Sequence, residues 1–108
     1  MAIPHAQAGE PIDLEPLGSA VTSTKTATLA KTNTFELIRL VLPARKVIPE
    51  HKVAGEITVQ CLEGEIEFTA CGKTQLLSAG KLLWLSGNDP HAVRAVTNAS
   101  ALVTIVLR

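Results

Sequence analysis

The sequence predicts an all-β fold, an antiparallel sandwich or barrel. Three observations carry this. Short β-prone segments follow one another at close spacing from residue 24 to residue 107. Turn-forming residues separate them at almost every junction. No window offers a long amphipathic helix with a capped start.

Taken in order, residues 1–22 are rich in Pro, Gly, Ala and Ser, and Pro4, Pro11, Pro16 and Gly18 interrupt any regular pattern. They are read as an irregular N-terminal arm ending in a short strand, and residues 23–108 as one barrel domain. Strands are expected at 24–30, 34–42, 47–53, 56–63, 65–70, 74–77, 82–85, 91–96 and 101–107. The turn signals between them include Thr32-Asn33, Pro43, Gly55, Gly64, Cys71-Gly72, Ser78-Ala79-Gly80, Gly87-Asn88-Asp89-Pro90 and Asn98-Ala99-Ser100. At Glu63-Gly64-Glu65 the glycine suits a positive φ between two strands. Beyond it, alternation puts Ile66 and Phe68 on one face and Glu65, Glu67 and Thr69 on the other.

A chain of 108 residues suits one domain with a modest core. Apolar residues are 46% of it and aromatics only 3%, so Leu, Val, Ile and Ala must fill that core, with Phe35, Phe68 and Trp84 as its few large pieces. Trp84, set among leucines, is expected to pack in the core or at a subunit interface. Ten basic and ten acidic residues cancel, so neither nucleic acid nor a membrane surface is an expected partner. The start Met1-Ala2-Ile3-Pro4-His5-Ala6-Gln7 has no basic or apolar leader pattern, and His5 carries no functional weight there. Cys61 and Cys71 form no C-x-x-C pair and read as reduced thiols, which points to the cytoplasm. The sequence holds no Ser-His-Asp or Cys-His constellation at useful spacing and no glycine-rich phosphate loop, so hydrolase and nucleotide-binding readings have no starting point.

Two histidines stand in recognisable local frames. His51 lies in Pro49-Glu50-His51-Lys52-Val53, leading into the strand that ends at Leu62-Glu63-Gly64. His91 lies in Pro90-His91-Ala92-Val93, after Ala79-Gly80 and Leu82-Leu83-Trp84-Leu85. These frames resemble the two motifs of a small single-domain, RmlC-like cupin, G-x5-H-x-H-x3/4-E-x6-G and G-x5-P-x-G-x2-H-x3-N, over residues 34–107. Anchored on Gly64, the metal-ligand positions of the first motif fall on His51, Val53 and Ile57, and its leading glycine on Arg45. Anchored on Gly80, the second puts its histidine on His91, and its proline, glycine and asparagine on Ser86, Asn88 and Ala95. The resemblance implies a double-stranded β-helix, or jelly-roll barrel, often with a divalent transition metal (Zn, Fe, Mn or Ni), and commonly a homodimer. Apolar residues on both faces of 34–42 and 101–107 suit such a dimer.

The departures matter, because a catalytic metal needs about three protein donors and Val53 and Ile57 can supply none. Gln60, Glu56 and Cys61 are the candidate replacements, with Gln60 the preferred partner of His51 and His91. Alternation from Ile57 turns Val59 and Cys61 inward and Glu56, Thr58 and Gln60 outward, whereas a bulge at Gly55 would reverse this. Glu56 also reads as a solvated charge at a strand start. Arg39, in the apolar run Phe35–Leu42, either clamps a ligand carboxylate or pairs with Glu36 or a neighbouring strand. The leading functional expectation is a barrel pocket at His51 and His91, with Gln60 and Arg39 as further polar groups. Without a metal, the two rings facing across the mouth could bind a small acid or shuttle a proton. The alternatives are a metal-dependent dioxygenase or isomerase acting on a small acid, and a structural or regulatory homodimer.

Overall fold

The computed structural model describes residues 4–108. Its nine strands are β1 (Ala27–Lys31), β2 (Phe35–Leu42), β3 (Val47–His51), β4 (Ile57–Glu63), β5 (Glu65–Ala70), β6 (Lys73–Ser78), β7 (Leu82–Leu85), β8 (His91–Ala95) and β9 (Ala99–Val106). They form a five-stranded sheet in the order β1-β2-β9-β4-β7 and a four-stranded sheet in the order β3-β8-β5-β6. All pairings are antiparallel. This is the expected all-β architecture, a double-stranded β-helix.

Period-two alternation builds the core. Ile57, Val59 and Cys61 point between the sheets, as do Ile66 and Phe68 of β5, Val93 and Ala95 of β8 and Ala101 of β9. Phe68 is the one aromatic residue of this core. Trp84 is 66% exposed, so the expectation that it packs in the core is corrected. Leu83 and Leu85 take the inward positions of β7, which leaves Leu82 and Trp84 on the outer face.

The arm differs from its expected form. It ends not in a strand but in a 3-10 helix, Gly18–Ser23, that seats Val21 fully buried. Upstream, the Ala6 amide donates to the Leu29 carbonyl at 2.8 Å, so the arm also runs beside β1. The arm and the 3-10 helix lie on the outer face of the five-stranded sheet, where Val41 and Ser100 are buried.

Two glycines set strand ends. Gly64 has φ +72°, the left-handed value expected at its turn, and a Cβ there would meet the Asn98 carbonyl oxygen at 2.1 Å. Gly55 produces no bulge; the β4–β9 register is regular from Ile57↔Ile105 to Cys61↔Ala101. Its backbone instead passes so close to β9 that a Cβ would lie 1.6 Å from the Val106 carbonyl oxygen. The irregularity of this pair sits at the other end, between Cys61 and Glu63. There Leu62 is extra, and Glu63 pairs with Ser100 on the outer face instead of pointing into the core.

Candidate functional site

His51 closes β3 and His91 opens β8, and the two are cross-strand partners in the ladder. Their ring centroids are 4.3 Å apart with the planes tilted by 60°. His91 is buried and stacks on Phe68 at 5.7 Å, with the planes within 9° of parallel. His51 is exposed at the rim.

Each imidazole is fixed in the same way. His51 Nδ1 lies 3.0 Å from the Pro49 carbonyl oxygen, and His91 Nδ1 lies 2.9 Å from that of Asp89. A carbonyl oxygen only accepts, so Nδ1 carries the proton in both bonds. In the neutral rings both Nε2 atoms are therefore left as acceptors. Two oriented lone pairs of this kind can take a hydrogen-bond donor or a proton, or ligate a metal.

Beside them is a cavity of about 190 Å³ between the sheets. Its walls are apolar, with Ile38, Ile57, Val59, Val93, Val103 and Ile105 joining Phe68. Thr26, which no feature of the sequence singled out, also borders it. No Asp, Glu, Lys or Arg side chain lines it among the described residues.

Of the residues expected to share this pocket, the structure brings together His51 and His91 and places the others elsewhere. Gln60 is opposite Leu82 of β7 and Leu102 of β9 and lies on the outer face of the sheet. With no bulge at Gly55 to reverse the alternation, it cannot reach the histidines. Glu56 is an exposed strand-start charge in a 3.3 Å ion pair with Arg108. Cys61 is buried, its thiol 3.4 Å from the Glu63 carbonyl, and burial raises its pKa, so it is no ready thiolate. Among the described residues no group of three His, Cys, Asp or Glu side chains is placed to hold a metal ion. The donor set thus stops at two imidazoles, with Ile57 an apolar wall at one lost ligand position, and this does not fit a three-donor metal centre.

Arg39 is on the outer face as well, 8% exposed, and its partner is Glu63 at 3.3 Å rather than Glu36. Glu36 accepts a hydrogen bond from Thr28 instead. Glu63 receives hydrogen bonds from the amides of Leu17 (2.8 Å) and Gly18 (2.9 Å) and from the Ser100 hydroxyl. This cluster clasps the arm to the sheet. Reading the sequence missed it, because the bulge at Leu62 that turns Glu63 outward has no glycine to announce it.

Comparison with known proteins gives a consistent result. The family described as "Cupin domain" matches residues 38–107. A conserved protein of unknown function from Streptococcus pyogenes superposes with a TM-score of 0.76 at 20% identity, covering 100% of this chain and 96% of that one. A cupin superfamily protein from Desulfitobacterium hafniense superposes with a TM-score of 0.78 at 15% identity over 100% of both chains. An RmlC-like cupin from Desulfovibrio desulfuricans gives 0.70 at 25% identity over 96% of both. No curated protein matches the chain.

Proposed function

The chain belongs to the cupin family, and from that premise we propose that it binds a small, largely apolar molecule in the barrel, without a tightly held metal. The observation that supports this is the pair of Nε2 acceptors, fixed by the Pro49 and Asp89 carbonyls, at one side of an apolar cavity. An apolar cavity of about 150 Å³ takes up benzene, so this one suits a single ring or a short branched chain. The ligand places a hydroxyl, amine or carboxyl group between the histidines. A carboxylic acid can pass its proton to one imidazole and remain as a carboxylate beside the imidazolium. An isomerase that shuttles a proton through this pair is compatible with the geometry; a metal-dependent dioxygenase would need a third donor that the cavity does not supply.

The test is a titration with a fragment set of small phenols and carboxylic acids, followed by amide chemical shifts. The expected binder shifts residues of the cavity wall. In the His51→Ala/His91→Phe variant, which keeps an aromatic ring over Phe68, its affinity falls at least about tenfold, the worth of one or two hydrogen bonds. Equal affinity in the variant would overturn the proposal. A full complement of transition metal in protein purified without chelator would do so too.

A separate observation favours self-association. The outer face of the five-stranded sheet presents Trp84, Leu82 and Phe35 to solvent, with Thr58, Gln60 and Leu102 half-buried between them and no charged group among these six. An uncharged patch with an exposed aromatic residue, here beside the Glu56–Arg108 ion pair, suits a two-fold interface. We propose a homodimer through this face. Trp84→Glu should convert it to monomer in analytical ultracentrifugation without lowering the melting temperature of the monomer; an unchanged sedimentation coefficient rejects it. The free thiols of Cys61 and Cys71 support a reducing compartment, the cytoplasm, as its place of action. Among the described residues no helix is long and apolar enough to cross a membrane, and the balanced charge supports no nucleic-acid partner.

A further inference from the structure

We propose that the cleft between the N-terminal arm and the outer side of β1 and β2 is a second binding site, for an organic anion with an apolar body. Its carboxylate would sit against Arg39 and Lys25. The cleft holds about 470 Å³, more than twice the barrel cavity, and lies on the opposite side of the five-stranded sheet from the histidines.

Arg39 carries the argument. Its guanidinium has five N–H donors, and its side chain is nine-tenths buried. Among the described residues all its hydrogen bonds leave from one nitrogen, Nη2, which serves the Glu15 carbonyl (2.5 Å), the Glu63 carboxylate (3.3 Å) and the Ser100 hydroxyl (3.3 Å). Nε is buried with no partner among the described residues. Nη1 has no partner among the described residues either. A buried cation with donors left over is costly unless an acceptor arrives, and Arg39 borders this cleft.

Lys25 gives the cleft a second cation. Lys25 lines the cleft and makes no ion pair among the described residues. Two acids also line it, Glu10 and Asp13, but both are engaged by the arm itself. Glu10 accepts from the Gln7 amide at 2.5 Å and Asp13 from the Glu15 amide at 2.8 Å. Both acids are exposed, so water and salt screen them, whereas Arg39 is buried. Ile12 and Leu17 of the arm and Leu29 of β1, each half-buried, supply the apolar wall on which a hydrocarbon body can lie.

Octanoate is a suitable probe, with octylammonium as its charge-reversed control. In a titration followed by amide chemical shifts, octanoate should move Leu17, Gly18, Lys25 and Leu29 and leave the His51 and His91 amides in place. Lys25→Gln should weaken it about tenfold, the loss of one charged hydrogen bond. Arg39→Lys should retain part of the affinity and Arg39→Ala none. If Arg39→Ala fails to fold, Lys25→Gln decides. The His51→Ala/His91→Phe variant should bind octanoate as the unaltered chain does, which separates this site from the barrel. Shifts confined to the barrel wall, equal affinity in Lys25→Gln, equal binding of octylammonium, or no shift at millimolar octanoate would each overturn the proposal.

Discussion

Glu63→Ala is expected to destabilise the protein by about 3–5 kcal/mol, the usual cost of removing one partner from a buried charged pair. The Glu63 side chain is 12% exposed and that of Arg39 10%. Removing the carboxylate strands the guanidinium in a buried site with only the Glu15 carbonyl and the Ser100 hydroxyl. It also frees the Leu17 and Gly18 amides, and with them the anchor that holds Val21 in place. Glu63→Gln keeps the size but offers one acceptor oxygen where two are used, and should cost about 1–3 kcal/mol. Urea unfolding measures both, and hydrogen exchange at Leu17 and Gly18 should quicken in step. A loss below about 1 kcal/mol in Glu63→Ala would mean that the arm is held by apolar packing alone.

The same cluster sets an acid limit. Burial pushes the Glu63 carboxyl up, but the hydrogen bonds from Ser100, Leu17 and Gly18 and the charge of Arg39 pull it further down, below its ordinary value of 4.5. A carboxyl with a depressed folded pKa is protonated more readily in the unfolded chain. Its stabilising contribution is therefore complete above the ordinary value and is lost as pH falls through the depressed one. The unaltered protein should lose stability as pH falls below 4.5, and Glu63→Gln should show a shallower loss over that window.

Much of the barrel was legible, and the physical reason is alternation. Where apolar and polar residues take turns, as in Ile66-Glu67-Phe68-Thr69, the buried face can be read directly, and β5 lies as expected. The spacing of His51 and His91 from Gly64 and Gly80 likewise led to a true cross-strand pair. Where every residue is apolar, alternation has no contrast. Leu82-Leu83-Trp84-Leu85 is such a run, and the largest residue proved to be on the outside. The outward position of Gln60 turned on whether Gly55 bulged, which depends on the approach of a strand about fifty residues away in sequence. Glu63 and Arg39 were each visible as charges, but what joins them is a bulge at Leu62 and an arm that folds back over the sheet. Neither has a local signal.

Gly55→Ala is the substitution that should couple stability to the barrel mouth. The new methyl group would lie 1.6 Å from the Val106 carbonyl oxygen, a backbone atom that cannot rotate away. The end of β9 and the chain entering β4 must separate by more than an ångström. That motion breaks the hydrogen bond from the Val106 amide to the Glu56 carbonyl, now 2.9 Å. It also disturbs the Ile57↔Ile105 pair, both members of which wall the cavity. Overpacking against fixed backbone costs about 3 kcal/mol at the upper end of its usual range, and binding in the barrel should fall with it. Gly80→Ala is the informative control. Gly80 has φ +91° and open space around its Cβ position, so alanine there meets backbone strain alone, about 1–2 kcal/mol. It should leave the mouth unchanged. Thermal melts give the two costs, and amide shifts of Ile57 and Ile105 report the geometry. If Gly55→Ala melts as Gly80→Ala does and leaves those two resonances in place, β9 can yield at no cost. The close approach at Gly55 would then not be what sets the shape of the pocket.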